Sequence, residues 1–191
     1  MRFFRYVALV IFFLDLPVPI YWFVLHPFRR FWRSRIRVAF WIAGLGSWAA
    51  GAVFVIALRH RLIAQGSPCI VAALAGLALI CVDFLLLCIA ARHLGGRKLA
   101  GHAELAGKTD LVTSGIYAHL RHPRYVGMIA AVVGACVIAG SVFTWIVVGV
   151  WFVIVLICIF LEEREMRERF GSPYDEYCHA VPRFLPNLRG R

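Results

Sequence analysis

The chain alternates long apolar runs with short polar breaks, and the lengths of the runs set the architecture. Tyr6 to Leu25, Val38 to Leu58 and Cys69 to Ala91 are each long enough to cross a hydrocarbon core of about 30 Å once as a helix. A fourth run, Val126 to Leu161, contains no charged residue. As one straight helix at about 1.5 Å per residue it would measure roughly 54 Å, so it must fold back on itself. Gly140-Ser141 near its middle is the natural place for a tight turn. The pattern predicts an all-α integral membrane protein of about five transmembrane helices, the last two forming a tight hairpin. Residues 1–91 would hold three N-terminal spans, and 92–191 a second region in which polar residues gather.

Composition agrees with this reading. Apolar residues make up 62% of the 191, against about 45–50% in soluble proteins, and the mean hydropathy is +0.79. The N-terminal run could be taken for a signal peptide, but Asp15, Pro17 and Pro19 interrupt it and no small-residue cleavage site follows, so it is read as a retained span. Cys69, Cys81, Cys88, Cys136 and Cys158 lie in apolar runs and Cys178 in the tail, with no CxxC pair, which is the pattern of free thiols.

Charge adds an orientation. Of the 21 Lys and Arg, all but Arg2, Arg5, Arg59 and Arg61 fall in 26–37, 92–125 and 162–191, which five spans place on one side. Positive-inside logic makes that side cytoplasmic, with the C-terminus there and the N-terminus opposite. A net charge of +11 raises nucleic acid as a partner, but the basic residues sit in short loops beside spans, so anionic lipid headgroups are the expected partner instead.

Only 92–125 and 162–191 have room for chemistry. The first carries His93, His102, His119 and His122, whose spacing fits no compact zinc ligand set, so no metal is expected. It ends in Pro123, suited to a first helical turn, which puts His122 and Tyr125 at the mouth of the next span, where free N–H groups favour an anionic ligand group. The last span runs into "EEREMRERFG", a polar helical continuation that Gly171 can cap, with pairs such as Glu163 to Arg167 four residues apart. Adjacent residues on a helix point in different directions, so one of Glu162 and Glu163 must turn towards protein or headgroups. Carboxylates there suit a ribose diol or a cationic centre. Asp15 and Asp83 lie inside spans, where an ionisable group is costly and is either functional or bonded to a neighbouring helix.

"LVTSGIYAHLRHPRYVG" followed, after the hairpin, by "LEEREMRERFGSPYDEYCHAVPRFLP" closely resembles the isoprenylcysteine carboxyl methyltransferase family, integral membrane enzymes related to the phospholipid N-methyltransferases. The resemblance covers about residues 92 to 186. It implies a methyltransferase-like catalytic region in 92–191, S-adenosylmethionine as cofactor, and a lipid or lipidated acceptor entering from the bilayer. It also implies a cytoplasmic cofactor pocket made by Thr109, Asp110, Leu111, Val112, Tyr117, His122, Pro123 and Tyr125, closed by Glu162 and Glu163. Glu162 and Arg121 are the candidates for catalysis. One departure matters. Carboxylate-methylating members usually carry an arginine one helical turn before the first glutamate, and here that position is Cys158. Either the acceptor is not a prenylcysteine carboxylate, or another arginine such as Arg121, Arg124 or Arg183 reaches in. An amine lipid acceptor, a nicotinamide-dependent reductase of the sterol type, and a scaffold without chemistry remain as alternatives.

Overall fold

A computed structural model describes residues 2–25, 32, 35–64, 69–94 and 110–185. Every regular element in it is helical: α1 (Arg2–Asp15), α2 (Pro17–Leu25), α3 (Ile36–Leu62), α4 (Ile70–Leu94), a 3-10 turn (Gly115–Ala118), α5 (Pro123–Ala139), α6 (Val142–Phe170) and α7 (Ser172–Ala180). Four segments are long and apolar enough to cross a membrane: Phe3–Leu25, Trp41–Leu62, Ile70–Leu94 and Val142–Phe170. The fifth expected span, α5, is a shorter apolar helix of 17 residues. The protein is an all-α integral membrane protein.

The first span is two helices rather than one. Pro17 has no N–H to continue the ladder of α1 and its ring fixes a helix-starting φ, so the chain breaks at Leu16 and restarts as α2. The predicted fold-back occurs at Gly140, whose φ of +65° is left-handed and whose N–H closes on the Cys136 carbonyl. The turn is anchored to the end of α3. Ser141 Oγ donates to the Arg61 carbonyl at 2.6 Å, Thr144 Oγ1 to the Leu62 carbonyl at 2.5 Å, and the Ala64 N–H to the Ala139 carbonyl at 2.9 Å.

From that shared turn the two arms run back unequally. At about 1.5 Å per residue α5 covers roughly 25 Å, short of a full hydrocarbon core, whereas α6 covers roughly 43 Å. The start of α5 therefore lies sunk beside α6, and this step forms the floor of the site described below. What holds α5 so closely is α4, with which it makes the most extensive helix contact. A Cβ on Gly76 would lie 2.5 Å from the Gly134 carbonyl oxygen, and one on Gly134 2.5 Å from that of Gly76. In lipid, where apolar side chains gain little from leaving their surroundings, such backbone approach is what joins helices. Phe12, Met128, Val132, Cys136, Val148, Trp151 and Val155 fill the space between α1, α5 and α6. Leu45, Val53, Phe84, Ile146 and Phe160 point outwards and are more than half exposed, as a lipid-facing surface requires.

Candidate functional site

The polar approach to α5 is shaped by one glycine. Gly115 has φ +62°, and a Cβ there would fall inside the His93 ring, so the 3-10 turn Gly115–Ala118 closes directly on the end of α4. His93 is fixed from behind, with Nδ1 donating to the Ile89 carbonyl at 2.8 Å. The turn buries Tyr117, and its carbonyl accepts the Tyr177 hydroxyl at 2.7 Å. Burial pushes the Tyr177 phenol up to about 12, so it remains a donor.

Next, the backbone N–H groups of Arg121 and His122 donate to the carbonyls of Pro182 and Arg183 at 3.0 and 3.3 Å, which lays the C-terminal tail along the entry to α5. The tail arrives there because Gly171, with φ +62°, ends α6 as the sequence suggested and lets α7 turn back. His122 then caps α5 and Pro123 occupies its first turn.

The two adjacent glutamates separate completely. Glu163 points into the protein and is fully buried. Its Oε1 accepts from His122 Nε2 at 3.0 Å and Arg183 Nε at 2.9 Å and pairs with Arg121 Nη1 at 3.2 Å; its Oε2 accepts from Arg183 Nη2 at 2.6 Å. The expected partner one turn on, Arg167, is a distant fourth at 3.8 Å. The pair with Glu163 in turn raises the affinity of Arg183 for its proton. Glu163 thus ties α6, the start of α5 and the tail into one knot. Glu162, about 100° round the helix, is half-buried and faces a cavity; among the described residues it makes no hydrogen bond or ion pair.

That cavity, of about 150 Å³, gathers most of the expected site. Asp110, Leu111, Val112, Tyr117, Arg121, His122, Pro123, Tyr125 and Glu162 all line it. Glu163 does not; it stands behind the wall. Thr109 lies outside the described residues. Arg124 of α5, one of the arginines expected to reach in, and Tyr174 and Tyr177 of α7, from the quoted motif stretch, line it too, whereas Val18 and Trp22 from α2, Leu94 from α4, Met128 from α5 and Met166 from α6 carried no signal in the sequence. The wall is therefore mostly apolar and aromatic, with a few convergent polar groups, as small-molecule sites are.

Each arginine at the cavity is already engaged. Arg124 spans two helices, its Nη1 donating to Asp83 at 2.5 Å and its Nη2 to Asp15 at 3.1 Å. The two intramembrane aspartates thus act as one clamp on a cavity-lining cation. Arg121 has Nη1 on Glu163 and on the Cys178 thiol, while its Nε is buried with no hydrogen-bond partner. Cys158 is fully buried and donates to the Pro19 carbonyl at 3.2 Å, a carbonyl on α2. It bonds to a neighbouring helix and is not among the residues that line the cavity. Among the described residues no group of three or more His, Cys, Asp or Glu is placed to hold a metal ion.

Comparison with known proteins adds a family. The profile of the phospholipid methyltransferase family matches residues 71–173, from early in α4 to the start of α7. The nickel-cobalt-cadmium resistance protein NccN of Alcaligenes xylosoxydans xylosoxydans is 28% identical over 98 residues, which are 51% of this chain and 42% of that protein. The chain thus spans less than half the length of that relative. No solved structure matches.

Proposed function

The chain belongs to the phospholipid methyltransferase family, and from that premise we propose that it transfers a methyl group from S-adenosylmethionine to the amine of a lipophilic acceptor. The observation that carries the acceptor class is the division of charge at the cavity. Its one carboxylate on α6, Glu162, is unengaged among the described residues, while Arg121 and Arg124 are held by Glu163, Asp83 and Asp15. A carboxylate acceptor needs a cation to hold it, and Cys158 replaces the arginine that would have served. An amine acceptor needs an anion and a place for its proton, and Glu162 supplies both.

The donor also fits these residues. S-adenosylmethionine, when bound, supplies a methyl group on a cationic sulfur. Glu162 would attract its positive charge, and Tyr117, Tyr125, Met128 and Met166 would exclude water. Tyr117, Tyr174 and Tyr177 wall the polar side. Val18 and Trp22 belong to a membrane-spanning segment, so an apolar tail can reach the cavity from the bilayer while the donor enters from water. Methyl transfer needs little covalent help; holding the two reactants in line in a dry site is the main contribution available to the protein.

The test is calorimetric titration of the detergent-purified protein with S-adenosylmethionine, then turnover on an aminophospholipid and on a prenylcysteine. Saturable binding that Glu162→Gln weakens at least tenfold, with methylation of the amine, supports the proposal. Binding of a reduced nicotinamide and not of S-adenosylmethionine overturns it, and turnover on the carboxylate alone overturns the acceptor class.

A further inference from the structure

Asp15 and Asp83 take no part in the chemistry proposed above, and neither lines its cavity. Both hold Arg124, which does. We propose that these two aspartates are specificity-determining residues: by occupying Arg124 from behind, they keep the cavity from holding an anionic acceptor. The inference deepens the reading of that site and rests on it for where the acceptor lies.

Geometry separates the charges. Arg124 is the second residue of α5; its Nη1 donates to Asp83 Oδ1 on α4 at 2.5 Å and its Nη2 to Asp15 Oδ1 at the end of α1 at 3.1 Å. The side chains of Asp15 and Asp83 are only 5% and 12% exposed, whereas that of Arg124 keeps 26%. The cation is therefore what a ligand in the cavity meets, and the anions act on that ligand only through it. Gly127, one turn along α5, lets Asp83 come so close. A Cβ there would lie 2.6 Å from Asp83 Oδ1 and 3.1 Å from its Cα.

Charge then decides what Arg124 can do. A guanidinium has five N–H groups and the two bonds use two, so hydrogen-bonding capacity for a carboxylate remains. Attraction does not. By Coulomb's law, a ligand anion about 4 Å from the guanidinium and about 7 Å from each aspartate is repelled by the pair about as strongly as the arginine attracts it. With one aspartate made neutral, roughly two-fifths of that attraction returns. A tie between helices would need only hydrogen-bond acceptors, which Asn supplies as well as Asp. What the carboxylates add is charge, at a depth where an ionisable group is costly, and its effect is to exclude a wrong ligand as much as to hold a right one.

The test measures binding without methyl donor or amine, so it can fail while the methyltransferase reading stands, and the reverse. The purified protein is titrated in detergent with an N-acetylated prenylcysteine and with its methyl ester, which differ only in the carboxylate. The wild type should bind the ester at least as tightly as the acid. Asp15→Asn and Asp83→Asn should each shift the ratio of the two affinities about tenfold towards the acid. Adding Arg124→Gln to either should abolish the shift. Loss of a merely structural tie would weaken acid and ester alike and leave their ratio unchanged, and that result overturns the proposal. So does a wild type that prefers the acid, or a shift that persists without Arg124. Each single variant leaves Arg124 one carboxylate, so the outcome does not depend on a protein stripped of both.

Discussion

Removing Glu163 should unfold the site from behind while removing Glu162 should leave the fold intact, although the two residues are neighbours of the same type. Glu163→Ala withdraws the acceptor from two guanidinium groups and the His122 ring at once. Their exposures decide the cost. The Arg183 side chain is 48% exposed and can return to water, so its bidentate pair contributes about 1 kcal/mol at most. Arg121 at 9% cannot, and a buried charge stripped of its partner costs about 3–5 kcal/mol. Taking the lower end, about 3 kcal/mol, and about 2–4 °C per kcal/mol for a chain of this size, the midpoint of thermal unfolding should fall by roughly 6–12 °C. Glu162→Ala, half-buried and without a hydrogen-bonded partner among the described residues, should change stability by no more than about 0.5 kcal/mol. Light-scattering or tryptophan-fluorescence melts in one detergent compare the two directly. Equal melting points for both variants, or a Glu163→Ala protein within 2 °C of wild type by such a melt, would refute the division of roles.

Other consequences can be checked with the same melts. Gly134→Ala places a Cβ 2.5 Å from the Gly76 carbonyl oxygen, so α4 and α5 must part, at about 1–3 kcal/mol. Asp15→Asn and Asp83→Asn each leave Arg124 one carboxylate, so a double-mutant cycle should show non-additivity of at least about 0.5 kcal/mol; strict additivity would mean the clamp is not shared. Gly115→Ala suffers both the left-handed φ and the His93 ring, and adding His93→Ala should relieve the second but not the first, leaving about 1 kcal/mol of loss. Tyr177→Phe removes the bond to the Tyr117 carbonyl, costing about 1 kcal/mol and loosening the tail over the cavity.

Much of this protein is written locally. Span length against bilayer thickness fixes where helices begin and end, because an unpaired backbone group in hydrocarbon is too costly to tolerate. The fold-back at Gly140-Ser141 follows from the same arithmetic, and Pro123 and Gly171 announce a helix start and a helix end through their own backbone preferences. The gathering of Tyr117, His122, Tyr125 and Glu162 was also legible, through a motif whose spacing resembles a family with that site. What the sequence alone left undecided depends on which groups meet from distant parts of the chain. It could say that Glu162 and Glu163 face different ways, but the tail, arriving with Arg183 some 20 residues later, decides that Glu163 becomes the knot and Glu162 the carboxylate that faces the cavity. Asp15 and Asp83 read as two separate anomalies until Arg124 is seen between them, 109 and 41 residues away. Val18 and Trp22 were indistinguishable from generic apolar helix, because a side chain facing lipid and one facing a cavity obey the same hydropathy. Periodicity reports only that a residue avoids water; the packing of other helices determines what it meets instead.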